Sequence, residues 1–431
     1  MPRRQVRYEE YAASKKPPKF SAATSHQHND AYMKAFDEGF EALKINEQPD
    51  VVESNQSKPQ QQPSCAIIEK STTSLEFMPN SSWYSGPTKN PSGISCNVSN
   101  QPLVCMTIKQ PYAVVGSTDH ALYVIDITTG KKVRTLYTKR FGHAEWVNCV
   151  DHMDDGRIVS GAMDSKLCIW GKPNEKIPTA TCIDAIGHAG SISSVKTLGN
   201  NAIVSASYDR TIRLWEAKHR SVEETAVLKG HKAPILDINY HDNYLISGDR
   251  GGCAVRWDLN SQRVCQKLAN AHDGHVTVVK AGILENVFLT GGQDGIVKVW
   301  DFRNKNAVFK LPLHTSATSG TGALCAIESN EAGGDIVTAG ADHLVNVIDP
   351  KASFKTRSVF DDHKDFIYSL KVTGGLAFSG AGDGMLLVHD IQQGKLLYGL
   401  GANQAAVRCI GMTKETLVAA GDDGGVIVYN M

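Results

Sequence analysis

The chain lacks net charge, lacks any hydrophobic run long enough to span a membrane, and lacks any CxxC pair, and each absence narrows what it can do. Its 45 Lys and Arg residues balance 45 Asp and Glu over 431 residues. A nucleic acid or anionic membrane would therefore have to be met by a local basic patch, not by the molecule's overall field. No apolar stretch approaches the roughly 20 residues of a membrane helix. The opening "MPRRQVRYEEYAAS" is basic but lacks the apolar segment of a secretory leader. A cytosolic or nuclear placement with no membrane association is the expectation. The 10 cysteines are scattered, most of them inside apolar runs such as "LCIW" and "VNCV". They read as buried free thiols in a reducing compartment more readily than as metal ligands or disulfides. There is no GxxxxGK[ST] phosphate loop and no HExxH. His26 and His28 in "SHQH" have no further clustered ligand, so no metal and no cofactor is expected.

Two unlike regions follow one another. Residues 1–92 are rich in Lys, Gln, Ser, Pro and Asn, as in "NQSKPQQQPS", and read as a low-complexity N-terminal arm. Within it "NDAYMKAFDEGFEALKI" places Tyr32, Phe36, Phe40 and Leu43 at spacings that share one helical face, so a short amphipathic helix is expected at about 30–45. So short a helix needs a surface to dock on, either the chain's own folded domain or a partner.

From residue 103 the texture changes to short β-branched runs punctuated by Gly, Asp and Ser. Aligned, they give eight copies, among them "RIVSGAMDSKLCIWG", "AIVSASYDRTIRLWE" and "VFLTGGQDGIVKVWD". The copies end on Ile125, Trp170, Trp215, Trp257, Trp300, Ile348, His389 and Tyr429, at intervals of 40 to 48 residues. That period suits four short strands and their turns. An aspartate stands six residues before the tip in seven copies: Asp119, Asp164, Asp209, Asp294, Asp342, Asp383 and Asp423. The fourth copy has Gly251 there, with Asp249 two residues earlier. A Gly-His or Asp-His pair precedes many copies, at His143, His188, His231, His275 and His363.

These residues resemble WD40 repeats, with their GH dipeptide, central Asp and terminal WD, over roughly residues 103–431. The resemblance implies an all-β propeller occupying residues 93–431, eight-bladed by copy number. Seven blades is the alternative, with the first or sixth copy as an accessory hairpin. Only Asn430 and Met431 follow Tyr429, and the resemblance implies that the last blade takes its outer strand from just before the first repeat, where "GISCNV", residues 93–98, is placed and patterned for it and would close the ring and hide its sheet edges.

Serine, histidine and aspartate in such proximity also raise the question of catalysis. The set His143, Ser160, Asp164 and Trp170 recurs as His188, Ser205, Asp209 and Trp215, and as His275, Thr290, Asp294 and Trp300. A weaker version is His363, Ser379 and Asp383 with His389 at the tip. A nucleophilic triad needs one cleft and one oxyanion hole, and nothing selects for several copies around a ring. The resemblance instead implies a structural tetrad in each blade, so no enzyme activity and no small-molecule substrate are expected.

By the same resemblance, the positions three and five after the GH histidine and the residue before the central Asp face a partner surface. They are Trp146, Asn148, Lys280, Phe366, Tyr368 and Arg408, and Met163, Tyr208, Arg250, Gln293 and Asp422. Aromatic and cationic side chains of this kind are enriched in interface hot spots, and they suit a peptide with acidic or phosphorylated groups among apolar anchors. Trp300, Asp301 and Arg303 resemble the WDxR box that docks some WD40 proteins on a cullin ligase adaptor. The arm's Arg3, Arg4, Arg7, Lys15, Lys16 and Lys19 could lie on an acidic lattice or polyanion. The expected function is a non-catalytic scaffold binding several proteins at once within a cytoskeletal or ribonucleoprotein assembly. The alternative is a ligase substrate receptor.

Overall fold

A computed structural model describes residues 81–430 except 88–91, 139, 176–180, 200, 285, 315–321 and 330–333. The expected arm helix with Tyr32, Phe36, Phe40 and Leu43, and the basic run before it, lie outside the described residues. Among the described residues no helix is long and apolar enough to cross a membrane.

The β-branched runs form eight four-stranded antiparallel sheets, the blades of a propeller. Blades 1 to 7 occupy residues 103–136, 147–185, 192–229, 235–268, 276–312, 324–360 and 367–401. Blade 8 takes three strands from 407–430 and its fourth, Ile94–Asn97, from the other end of the propeller sequence. That strand pairs Ile94 with Val428 and Asn97 with Gly425. The innermost strand of each blade lies against that of the next, and the eighth returns to the first, so the ring is closed.

Every innermost strand carries a β-bulge at the same place, one residue after its start. The extra residues are Val104, Asn148, Ser193, Leu236, Thr277, Cys325, Tyr368 and Arg408. A bulge bends the strand and re-aims its side chain, so eight side chains are redirected at one end of the ring.

Blades hold together by burying each third strand's tip against the blade before it. Trp170 packs with Leu122, Val124 and Leu136 of blade 1, and Trp300 with Ile246, Ala254 and Leu268 of blade 4. Where the tip is not tryptophan another group fills the space: Phe360 lies 4.3 Å from the His389 ring.

Blade 8 has the most unusual filler. Trp83, from the short 3-10 helix Ser81–Tyr84, is wholly buried in the cluster of Phe378, Leu386 and Tyr429. Its ring meets Phe378 edge-on at 5.6 Å, its Nε1 donates to the Lys414 carbonyl at 3.2 Å, and its own carbonyl accepts from Tyr398 Oη at 2.5 Å. The residues that complete the propeller's packing therefore begin before position 93.

Candidate protein-interaction site

The chemistry-bearing residues sit at the end of each blade where the aspartate turn meets the loop entering the innermost strand. In blade 2, His143 Nδ1 lies 3.2 Å from Asp164 Oδ1 and Nε2 lies 2.7 Å from Ser160 Oγ, which accepts from Trp170 Nε1 at 2.8 Å. The network assigns the proton to Nδ1, so the imidazole donates to the carboxylate and accepts from the serine. In blade 3 the distances are 2.8, 2.7 and 2.8 Å for His188, Ser205, Asp209 and Trp215. Ser160 and Ser205 are wholly buried under tryptophan rings, and their hydroxyls are committed inside the blade.

Burial alone would raise the Asp164 carboxyl. The His143 hydrogen bond and the backbone N–H groups of Ala144 and Lys166 outweigh it and hold that carboxyl below its usual range. The same balance lowers Asp209 and Asp294.

Three blades depart from the sequence expectation. In blade 5 the latch histidine is His272, not His275: His272 Nδ1 lies 2.9 Å from Asp294 and Nε2 2.7 Å from Thr290, which accepts from Trp300 at 2.8 Å. The reason is position. His143, His188, His231 and His363 each stand four residues before the innermost strand begins, and so does His272, whereas His275 abuts Val276. In blade 4 the displaced Asp249 still completes a tetrad, 2.7 Å from His231, with Ser247 and Trp257 at 2.6 and 2.8 Å. In blade 7 the tip His389 is no part of the latch and bonds Asp362 at 3.1 Å, while His363 keeps Ser379 at 2.8 Å.

The irregular copies are latched too. His314, hidden in a longer lead-in, lies 2.8 Å from Asp342 and 2.9 Å from Thr338. Asn403 takes the histidine's place in blade 8, donating to Asp423 at 2.7 Å. In blade 1 Ser99 and Tyr123 both donate to Asp119, at 2.5 and 2.7 Å. The four-residue offset would have found Ser99, His272 and Asn403 from sequence; only His314, with its insertion, escapes it.

With His272 as the latch, the positions that the resemblance marks in blade 5 shift. The positions three and five after His272 are His275 and Thr277. Lys280 instead lies further along the innermost strand, where its Nζ meets Glu328 of blade 6 at 2.5 Å and Lys371 of blade 7 meets the same carboxylate at 2.7 Å. Burial would raise Glu328, but the two lysines bring it down to about 2. Lys280 is thus part of a charge ladder round the ring's axis.

The remaining expected positions share one end of the ring. Trp146, Met163, Tyr208 and Arg250 are partly exposed, and Gln293 is exposed. Asn148 donates to the Ile192 carbonyl at 3.1 Å, tying blade 2 to blade 3. Arg250 Nε donates to His275 Nε2 at 3.3 Å across the joint of blades 4 and 5. Phe366 stacks on Tyr368 at 4.7 Å, and the Arg408 guanidinium lies 3.9 Å over the Tyr368 ring while forking onto Asp422 at 2.7 and 2.8 Å. Arg408 and Asp422 therefore neutralise one another, which removes Arg408, like Lys280, from the cations the sequence offered to an acidic ligand.

At the opposite end of blade 5, Trp300 is buried and Asp301 forks onto Arg303 at 3.0 and 2.6 Å, leaving the Arg303 side chain 78% exposed.

The model of the WD domain, G-beta repeat, matches residues 130–171, 180–216, 222–258 and 263–301. Each match runs from the outermost strand of one blade to the third strand of the next. The chain is 24% identical to ribosome biogenesis protein YTM1 of Meyerozyma guilliermondii over 351 residues, 67% of this chain and 74% of that one. It is 27% identical to its namesake from Coccidioides immitis over 305 residues, 60% of this chain and 64% of that one. Among solved structures, Chaetomium thermophilum Sqt1 bound to the N-terminus of the ribosomal protein L10 gives a TM-score of 0.69 at 15% identity, covering 79% of this chain and 100% of that one. The computationally designed Ika8 protein gives 0.66 at 22% identity, with the same coverage. At such identities the structural likeness speaks for the fold.

Proposed function

Because the chain is a WD40-repeat β-propeller of eight blades, we propose that it is a non-catalytic scaffold that holds partner proteins during assembly of a ribonucleoprotein particle. The observation that carries this is the fate of its histidines, serines and aspartates. Repeated round the ring and closed on one another inside the blades, they hold the fold and leave the turns above them for contact. The names of the relatives favour ribosome assembly over the cytoskeletal version, and Sqt1, a propeller of similar fold, has been captured with the end of a ribosomal protein. Such work would place the chain in the nucleus for part of its life, besides the cytoplasm. The basic run at Arg3, Arg4, Arg7, Lys15, Lys16 and Lys19 would add contacts to a polyanion in the same particle. The contact face is the latch end, with Trp146, Asn148, Met163, Tyr208, Arg250, Gln293, Phe366 and Tyr368. Sedimentation of cell extract tests the reading: the chain should travel with pre-ribosomal particles, and its confinement to the light fractions would refute it.

The exposed Arg303 side chain, fixed by Asp301, supports a second reading as a ligase substrate receptor. In that case Arg303→Ala abolishes adaptor pulldown and leaves the fold intact. Retained pulldown, or none from the unaltered chain, removes the reading.

A further inference from the structure

The latch end of the ring is not electrically uniform. In blades 2, 3 and 4 the turns and entering loops carry Lys166, Arg210, Lys232 and Arg250. Asp164, Asp209 and Asp249 stand among them but are consumed by their histidines at 3.2, 2.8 and 2.7 Å. Glu145 is the acidic side chain in these turns outside the latches. Across blades 7 and 8 the charges offset one another instead: Asp422 cancels Arg408, and Asp365 stands beside Lys364. Arg210 and Lys232 are exposed, and among the described residues neither side chain has a hydrogen bond or ion pair. The Arg210 backbone, at φ 72, holds that side chain at the crest of its turn.

The same arc is low in relief at its middle. The entering loops of blades 3 and 4 read Ala189-Gly190-Ser191 and Lys232-Ala233-Pro234, where blade 2 has Trp146. Gly190 cannot be replaced by anything larger without cost, since a Cβ there would stand 2.9 Å from the Asp209 backbone nitrogen, and a Cβ at Gly251 would stand 3.1 Å from that of Ala233. With side chains this short, the arc from Trp146 of blade 2 to the Arg250–His275 pair at the joint of blades 4 and 5 is what we call the trough. Tyr208 rises partly exposed within it. At its outer rim Ile186 is 80% exposed, two residues before the latch histidine His188.

We propose that this trough, over blades 2 to 4, docks an acidic segment of a partner protein that carries apolar side chains between its carboxylates. The cations supply charge complementarity, which steers encounter and selects the partner. Ile186, Trp146 and Tyr208 supply the apolar and aromatic anchors from which most interface energy comes. The observations favour a peptide over RNA. The chain has zero net charge, this cluster of cations covers three blades and not the whole ring, and an exposed isoleucine rewards an apolar side chain and not a phosphate. The proposal rests on the scaffold reading and sharpens it by naming the class of ligand at part of the face.

The test pans a phage-displayed random peptide library on the full chain, then measures labelled winners by fluorescence anisotropy. Enriched peptides should be net acidic with interspersed Leu, Phe or Tyr. The double variant Arg210→Glu/Lys232→Glu, altering two exposed side chains outside the latches, should weaken them by about ten-fold or more. Binding should also weaken as salt is raised, and a single-stranded oligouridylate should not compete. Winners of neutral or basic composition, equal binding by the double variant, or displacement by oligouridylate would each overturn the proposal. Sedimentation of the unaltered chain, set beside its peptide preference, separates the two readings. Acidic peptides bound by a chain that never meets pre-ribosomal particles leave the trough standing without the ribosomal role, and co-sedimentation with no acidic preference does the converse.

Discussion

His272 Nε2 lies 2.7 Å from Thr290 Oγ1 in the interior of blade 5, while His275, three residues on, lies at the surface where its Nε2 accepts from Arg250 at 3.3 Å. Two histidines of one short loop thus have separate tasks. His272→Ala strands the Thr290 hydroxyl and the Asp294 carboxylate in a buried place and should cost about 1–3 kcal/mol. His275→Ala should change stability by no more than about 0.5 kcal/mol, as surface substitutions usually do. Chemical denaturation of the two variants distinguishes them, and equal losses would mean the assignment is wrong.

Ser160 offers a second contrast. Its Oγ joins His143 and Trp170 at 2.7 and 2.8 Å, so Ser160→Ala leaves both the imidazole Nε2 and the indole N–H without a partner. A loss of about 1–3 kcal/mol is expected. Chromogenic ester hydrolysis should be absent from the unaltered chain and the variant alike. Ester turnover that disappears with Ser160→Ala would restore the catalytic reading.

Acid should act on two buried histidines, His389 in blade 7 and His152 in blade 2. Burial of His389 drives its pKa down, more than Asp362 raises it, to about 4 against an ordinary 6.5. Between those values the unfolded chain holds a proton that the folded chain does not, so stability falls as pH falls from 6.5 toward 4. The full effect is about 3 kcal/mol. His152, also brought to about 4 by burial and by Lys109, acts in the same window. The melting temperature should therefore drop between pH 7 and pH 5, and His389→Phe, packed against Phe360, should make that drop shallower. A drop of the same size in the variant would show that His389 does not contribute.

Trp83 anchors a segment that nothing in its local sequence distinguishes. Wholly buried between blades 7 and 8, it fills space beside Phe378 and caps the Lys414 carbonyl. Trp83→Ala should cost about 3–5 kcal/mol, the range for emptying a large aromatic from a core. Trp83→Phe should cost less, since it forfeits chiefly the indole bond. Unchanged denaturation of Trp83→Ala would mean the segment is not needed for the ring.

The blades were legible because they repeat. Eight β-branched runs at 40 to 48 residues, each with an aspartate turn, match the blades of the family they resemble, and that family's way of closing its ring pointed to residues 93–98, which do pair with the last strand. Individual side chains were harder to read. The Gly274-His275 dipeptide imitates the family's signature, yet the latch depends on distance from the strand start, which places His272 there. His314 was hidden because its lead-in to Leu324 is ten residues long where the others have four. Trp83 lies in a polar, aperiodic stretch, and its partner Phe378 is some three hundred residues away, so no local pattern could pair them. Sequence also offered Lys280 and Arg408 as binding cations: the pair of Lys280 with Glu328 is made across blades and leaves no trace in the spacing of one repeat, and Arg408 pairs within blade 8 with Asp422, a position that the resemblance had assigned to the same face.

If the latch end of the propeller holds partner proteins, as proposed, altering its exposed side chains should release them. Quantitative affinity capture from cells compares the full chain with the variant Trp146→Ala/Tyr208→Ala/Arg250→Glu, whose latch residues are untouched. Ribosome-assembly proteins should be recovered with the unaltered chain and depleted by about ten-fold or more with the variant, while both proteins melt at similar temperatures. Equal recovery of the same partners by the two would contradict the account.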